Sequence, residues 1–73
     1  MFDLPNPSRI RLARHRRGKT ISAVASELAV SPQLVAKWET GEREPGDRLA
    51  ALALALDFPE EFFMGGEAVA RLA

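Results

Sequence analysis

Gln33 and Lys37 carry the most informative chemistry in this chain, because they stand four residues apart in the segment PQLVAKWETG. On a helix an (i, i+4) pair lies on one face. Setting Pro32 at zero and advancing about 100° per residue puts Gln33, Ala36, Lys37 and Thr40 between about 40° and 140°. The residues between the two long polar side chains are small, so a ligand can approach the backbone closely. A primary amide can pair bidentately with an adenine edge and an ammonium can donate to guanine acceptors, which is the chemistry of major-groove reading. The same face would be an ordinary solvated one on a helix that stood alone.

The opposite face, between about 200° and 340°, holds Leu34, Val35, Trp38 and Glu39. The three apolar residues are read as core. Glu39 does not belong among them, since burying an unpaired carboxylate costs several kcal/mol. The same wheel on the segment PSRIRLARHRR aligns Ile10, Ala13, Arg14 and Arg17, so Arg14 also sits where a hydrophobe is expected. Two opposite charges, each misplaced on its own helix, are best read as partners. An Arg14–Glu39 salt bridge between the first and third helices is therefore predicted, with orientation of the third helix as its use.

Five helices must position these residues. Asn6 as N-cap, Pro7 at the first helical position and Gly18 past the end predict a first helix over Pro7–Arg17. Thr20 caps a second, whose Ile21, Val24, Ala25 and Leu28 form one apolar stripe. Ser31 and Pro32 start the third after a short turn, and Gly41 stops it. Two short helices so joined make a helix-turn-helix. The loop GEREPG follows. A fourth helix is predicted over Asp47–Leu56, apolar nearly all round and hence buried on more than one side. A fifth, short helix begins near Pro59. The expected organisation is one all-α domain over residues 7–64, with 65–73 a tail or the start of a linker.

With 73 residues the chain suffices for one small core. Hydrophobic residues form 47% and charged ones 27%, a globular composition. There is no cysteine, so no disulfide framework or cysteine-based zinc site is implied. No apolar run is long enough to cross a bilayer and the N-terminus lacks a signal-peptide pattern, so a soluble cytoplasmic protein is expected. The formal net charge of +0 conceals an asymmetry. Residues 1–19 carry Arg9, Arg11, Arg14, Arg16, Arg17 and Lys19 against Asp3, whereas residues 46–73 carry Asp47, Asp57, Glu60, Glu61 and Glu67 against Arg48 and Arg71. A basic end can face a polyanion or simply be solvated.

Arg14, the GKT segment, Val24–Ala25, LAVS, KWETGEREP and LAALALALDF together resemble the lambda-repressor-like, Cro-type (XRE) helix-turn-helix family, over about Ser8–Met64. The resemblance implies a compact five-helix fold with the third helix in the DNA major groove. It implies that Pro32, Gln33, Ala36 and Lys37 face base edges, and that Thr20, Arg43, Lys19 and Arg17 contact phosphates. It also implies the Arg14–Glu39 bridge. Three departures stand out: Ile21 replaces a glutamine common at the start of the second helix, Pro32 offers no side-chain hydrogen bond, and the PGDRL loop looks one residue short. The segments NPSRIRLARHRRGKT and DFPEEFF look especially like the N-terminal module of regulators that carry an ImmA/IrrE-type zinc peptidase domain, which implies a further C-terminal domain or protein partner. Phe62, Phe63 and Met64 then either close the core or offer apolar surface to that partner.

An enzyme is not expected. One histidine, His15, and no cysteine leave neither a Cys-His pair nor a multi-histidine metal site. Glu60 and Glu61 diverge on a short helix and suit its N-terminal dipole, and no cofactor is called for. The expected function is a sequence-specific, repressor-like transcriptional regulator that binds double-stranded DNA as a homodimer. The alternative is a protein-interaction module, antitoxin-like or scaffold-like, using Phe62, Phe63 and Leu54.

Overall fold

A computed structural model describes residues 5–65, and these form five α-helices: α1 (Pro7–Arg16), α2 (Ile21–Leu28), α3 (Pro32–Thr40), α4 (Leu49–Leu56) and α5 (Glu60–Phe63). Among the described residues there is no strand. The tail expected from residue 65 lies, beyond Gly65, outside them.

Each of the first three helices starts on a side-chain cap, which satisfies an amide the helix itself cannot pair. Asn6 accepts from the Ser8 amide at 3.1 Å, Thr20 from Ala23 at 3.0 Å and Ser31 from Leu34 at 3.1 Å. Pro7 and Pro32 occupy first-turn positions where no amide is needed. The ends are less uniform. Gly18 and Gly41 take the left-handed conformation expected of them, with φ of 66° and 86°. α2 and α4 end the same way on Ala29 and Asp57, both at φ 58°, although each pays the Cβ clash that glycine avoids. Bonds from Val30 to the Ala25 carbonyl and from Phe58 to the Ala53 carbonyl close these two ends.

Two predicted boundaries shift. α1 ends at Arg16, with Arg17 as its cap. The fourth helix was expected from Asp47, but Gly46–Arg48 form a 3₁₀ turn and α4 begins at Leu49. No side chain caps that start, and the Arg48 amide bonds Pro45 at 2.9 Å, so the chain enters α4 through the tighter i to i+3 pattern.

One core holds the helices together. Ile10 and Ala13 of α1, Val24, Ala25 and Leu28 of α2, Val35 and Trp38 of α3, Leu52, Ala53 and Leu56 of α4, and Phe63 of α5 are all buried. The expected burial of α4 on more than one side does not hold: Leu54 is 82% exposed, because α2 and α5 cover only the Leu52–Leu56 stripe. Phe63 is fully buried and Phe62 packs on Phe58 with ring centroids 4.4 Å apart. These two rings close the bottom of the core, and of the apolar trio Phe62, Phe63 and Leu54 only Leu54 stands free.

Candidate nucleic-acid interface

α2 and α3, joined by Ala29–Ser31, pack closely on each other, so a single rigid unit presents the outer face of α3. Val35 and Trp38 anchor its inner face, at 0% and 2% exposure. Pro32, Gln33, Lys37 and Thr40 are exposed and Ala36 is half-buried between them. Burial on one side therefore fixes which residues project on the other, and the two faces fall where the 3.6-residue period puts them. Among the described residues, no hydrogen bond or ion pair within the chain engages the Gln33 amide, the Lys37 ammonium or the Arg43 guanidinium. These groups are left with their full donor and acceptor capacity toward a ligand.

Glu39 and Arg14 meet as predicted. Arg14 donates from Nε to Glu39 Oε2 at 2.5 Å and from Nη2 to Oε1 at 3.0 Å, a fork that matches the carboxylate. Its third nitrogen, Nη1, donates to the Lys19 carbonyl at 3.0 Å. The two side chains are 12% and 6% exposed. The hydrogen bonds to Glu39 hold the Arg14 guanidinium above its usual pKa, with burial opposing them and the charge attraction adding to them. α3 is thereby tied to α1 near the C-terminal end of α3.

Thr20 is exposed at the start of α2, where its oxygen accepts the Ala23 amide and its hydroxyl hydrogen remains available as a donor. Arg43 is exposed in the loop after α3. Arg17 and Lys19 are placed differently. Arg17 donates from Nε to the Leu56 carbonyl and from Nη2 to the Asp57 carbonyl, both at 2.8 Å, while its guanidinium stacks 4.4 Å over the Phe58 ring. Lys19 donates to the Ala55 carbonyl at 2.8 Å and pairs with Glu27 at 3.0 Å. The structure thus directs both cations to the C-terminal carbonyls of α4, where positive charge also suits the helix dipole.

A second clasp was missed entirely by the sequence reading. The Asn6 amide nitrogen donates to the Phe63 carbonyl at 2.7 Å, Asn6 Nδ2 to Gly65 at 3.2 Å, and Arg9 Nη1 to Phe62 at 2.9 Å. Arg9 packs so tightly against Gly65 that a Cβ there would lie 2.4 Å from its Cζ. Nothing in the spacing of these residues announces a contact across 53 to 59 positions of chain. α1 and its C-cap therefore send three arginines to three other helices: Arg9 to α5, Arg14 to α3 and the cap residue Arg17 to α4.

A family model described as a helix-turn-helix domain matches residues 8–62, from α1 into α5. The chain belongs to the helix-turn-helix domain family, and that membership supports DNA binding as its class of activity. No curated protein and no solved structure matches it. Among the described residues, no helix is long and apolar enough to cross a membrane, and no cluster of three or more metal-ligating side chains occurs.

Proposed function

We propose that this chain is a sequence-specific, double-stranded DNA-binding transcriptional regulator of the lambda-repressor-like, Cro-type class, acting as a repressor in the cytoplasm and without catalytic activity or cofactor. The carrying observation is the split character of α3: Val35 and Trp38 locked in the core, with Gln33 and Lys37 projecting unpaired from a face of small residues. In this reading Gln33 and Lys37 hydrogen-bond base edges in the major groove, while Pro32 and Ala36 pack on thymine methyl groups. Thr20 and Arg43 contact the flanking phosphates, with the first-turn amides of α2 beside them. Arg17 and Lys19 contribute through the fold by holding α4.

One such module reads few base pairs, so two copies bind a pseudo-palindrome with half-sites about one helical turn apart. With about four to six phosphates neutralised per copy, the log-log dependence of affinity on salt has a slope near −4 to −5. Titration of duplex DNA at low and moderate salt tests this. A steep loss of affinity supports the reading, and salt-insensitive or absent binding at both concentrations overturns it.

A further inference from the structure

Leu54 is 82% exposed, against 39% for Leu12, the other large apolar side chain on the described surface. It lines an open groove with Ala50, Phe58 and Pro59, and Asp57 and Glu60 line the same groove. Both carboxylates are exposed, and among the described residues no ion pair engages either, so the groove has an acidic rim.

The walls of this groove are held in place by the fold. The Asp57 amide donates to the Leu54 carbonyl at 3.2 Å and the Phe58 amide to the Ala53 carbonyl at 3.1 Å, which fixes the turn out of α4. The Phe58 ring packs on Phe62, and the Arg17 guanidinium lies 4.4 Å over it. Arg17 donates from Nε and Nη2 to the Leu56 and Asp57 carbonyls rather than to a carboxylate, so the rim keeps its charge. A surface already in shape spares a ligand the cost of ordering it.

The charge of the rim selects the occupant. DNA does not fit, because carboxylates repel phosphates, and none of Thr20, Gln33, Lys37 and Arg43 lines the groove. The same groove on a second copy does not fit either, since it would set carboxylate against carboxylate. What complements the groove is an apolar side chain with cations on either side. A helix presents that pattern when leucine is flanked by Lys or Arg one turn before and one turn after it.

We propose that the groove docks a basic amphipathic helix of another protein. An apolar side chain of that helix packs on Leu54 and Phe58, and its cations face Asp57 and Glu60. The proposal goes beyond the DNA-binding reading and does not depend on it, because the two surfaces share no residue. The rim charges are solvent-exposed, so the docking weakens as salt rises.

Titration of the isotopically labelled full chain, without DNA, by amide NMR tests it. The probes are three synthetic alanine-rich helices: one presenting leucines at (i, i+4) flanked by arginines, one with glutamates in place of those arginines, and one with alanines in place of the leucines. The expected result is saturable binding of the first alone, with shifts centred on Ala50, Leu54, Phe58 and Glu60. Leu54→Asp weakens it at least about tenfold. Glu60→Lys weakens the basic helix and gives the acidic helix measurable binding. Both substituted positions are exposed, and circular dichroism verifies the fold of each variant. No saturable binding of the basic helix, equal binding of the basic and acidic helices, shifts centred on another face, or binding indifferent to Leu54→Asp overturns the proposal. Self-association of the chain alone that Leu54→Asp abolishes would make the occupant a second copy and overturn it too. A chain that docks the basic helix here but binds no duplex DNA keeps this proposal and removes the DNA reading, so the two fail separately.

Discussion

Replacing Glu39 by Gln would keep the shape of the side chain and remove its charge, leaving Arg14 with a cationic guanidinium in a site where it is only 12% exposed. Two charge-assisted bonds, at 2.5 and 3.0 Å, would be lost or reduced to neutral ones. Breaking one side of a buried pair costs about 3–5 kcal/mol, and the residual exposure of Arg14 places this case near the lower end, about 3 kcal/mol. A chain of 73 residues has a total stability of about 4–11 kcal/mol. The variant should therefore melt about 12–24 °C lower in a domain of this size. Circular dichroism melts and urea titrations would measure it, together with Arg14→Met, Glu39→Leu and the double variant. The double variant should recover most of the loss, because two hydrophobes need no partner, but should stay about 1 kcal/mol short since the Lys19 carbonyl loses its donor. Single variants that each cost less than about 1 kcal/mol, with additive effects in the double, would refute the reasoning: the bridge would then behave as a solvated surface pair. Arg14 is raised from an already strongly basic pKa, so its contribution is complete below that range and lost only as pH climbs through it. The effect of Glu39→Gln should accordingly be the same in neutral and mildly alkaline buffer.

Three further outcomes follow from the same structure. Ala29→Gly should raise stability by about 0.5–1 kcal/mol in a thermal melt, because φ 58° is costly for alanine, the gain being reduced by the greater freedom of glycine in the unfolded chain. Phe63→Ala should cost about 3–5 kcal/mol in urea unfolding, since the ring is fully buried between α1 and α4 and closes the core. In DNA titrations Gln33→Ala should lose about 1–3 kcal/mol on the preferred site and relax base preference at one position, whereas Arg43→Ala should weaken all sequences alike; equal losses on every sequence for Gln33→Ala would remove its reading role.

Much of the fold was legible because its signals are local. Asn6, Thr20 and Ser31 cap from side chains whose chemistry is fixed by residue type, and the two-faced wheel of α3 needs only its own nine residues. The Arg14–Glu39 bridge was legible for a different reason. Each charge was anomalous on its own helix, and an anomaly implies a partner even when the partner is 25 positions away. What escaped the sequence is where three long cations go. Arg17 shares the stripe of Arg14 but has no second misplaced charge to answer it, the resemblance assigns Arg17 and Lys19 to phosphates, and only the folded chain shows that carbonyls at the ends of α4 and α5 receive them and Arg9. Ala29 and Asp57 escaped likewise, since neither residue type signals a left-handed helix end. The exposure of Leu54 is not decided by composition: a helix apolar nearly all round suggests burial on more than one side, and the neighbouring helices cover only the Leu52–Leu56 stripe.

The central claim is that the outer face of α3 reads base sequence. Its most direct test is selection from a pool of random duplex DNA at two salt concentrations, with sequencing of the bound fraction. An enriched, two-fold-symmetric motif that disappears with Gln33→Ala or Lys37→Ala is the predicted result. Binding without any enriched motif, or enrichment that both variants leave unchanged, would contradict it.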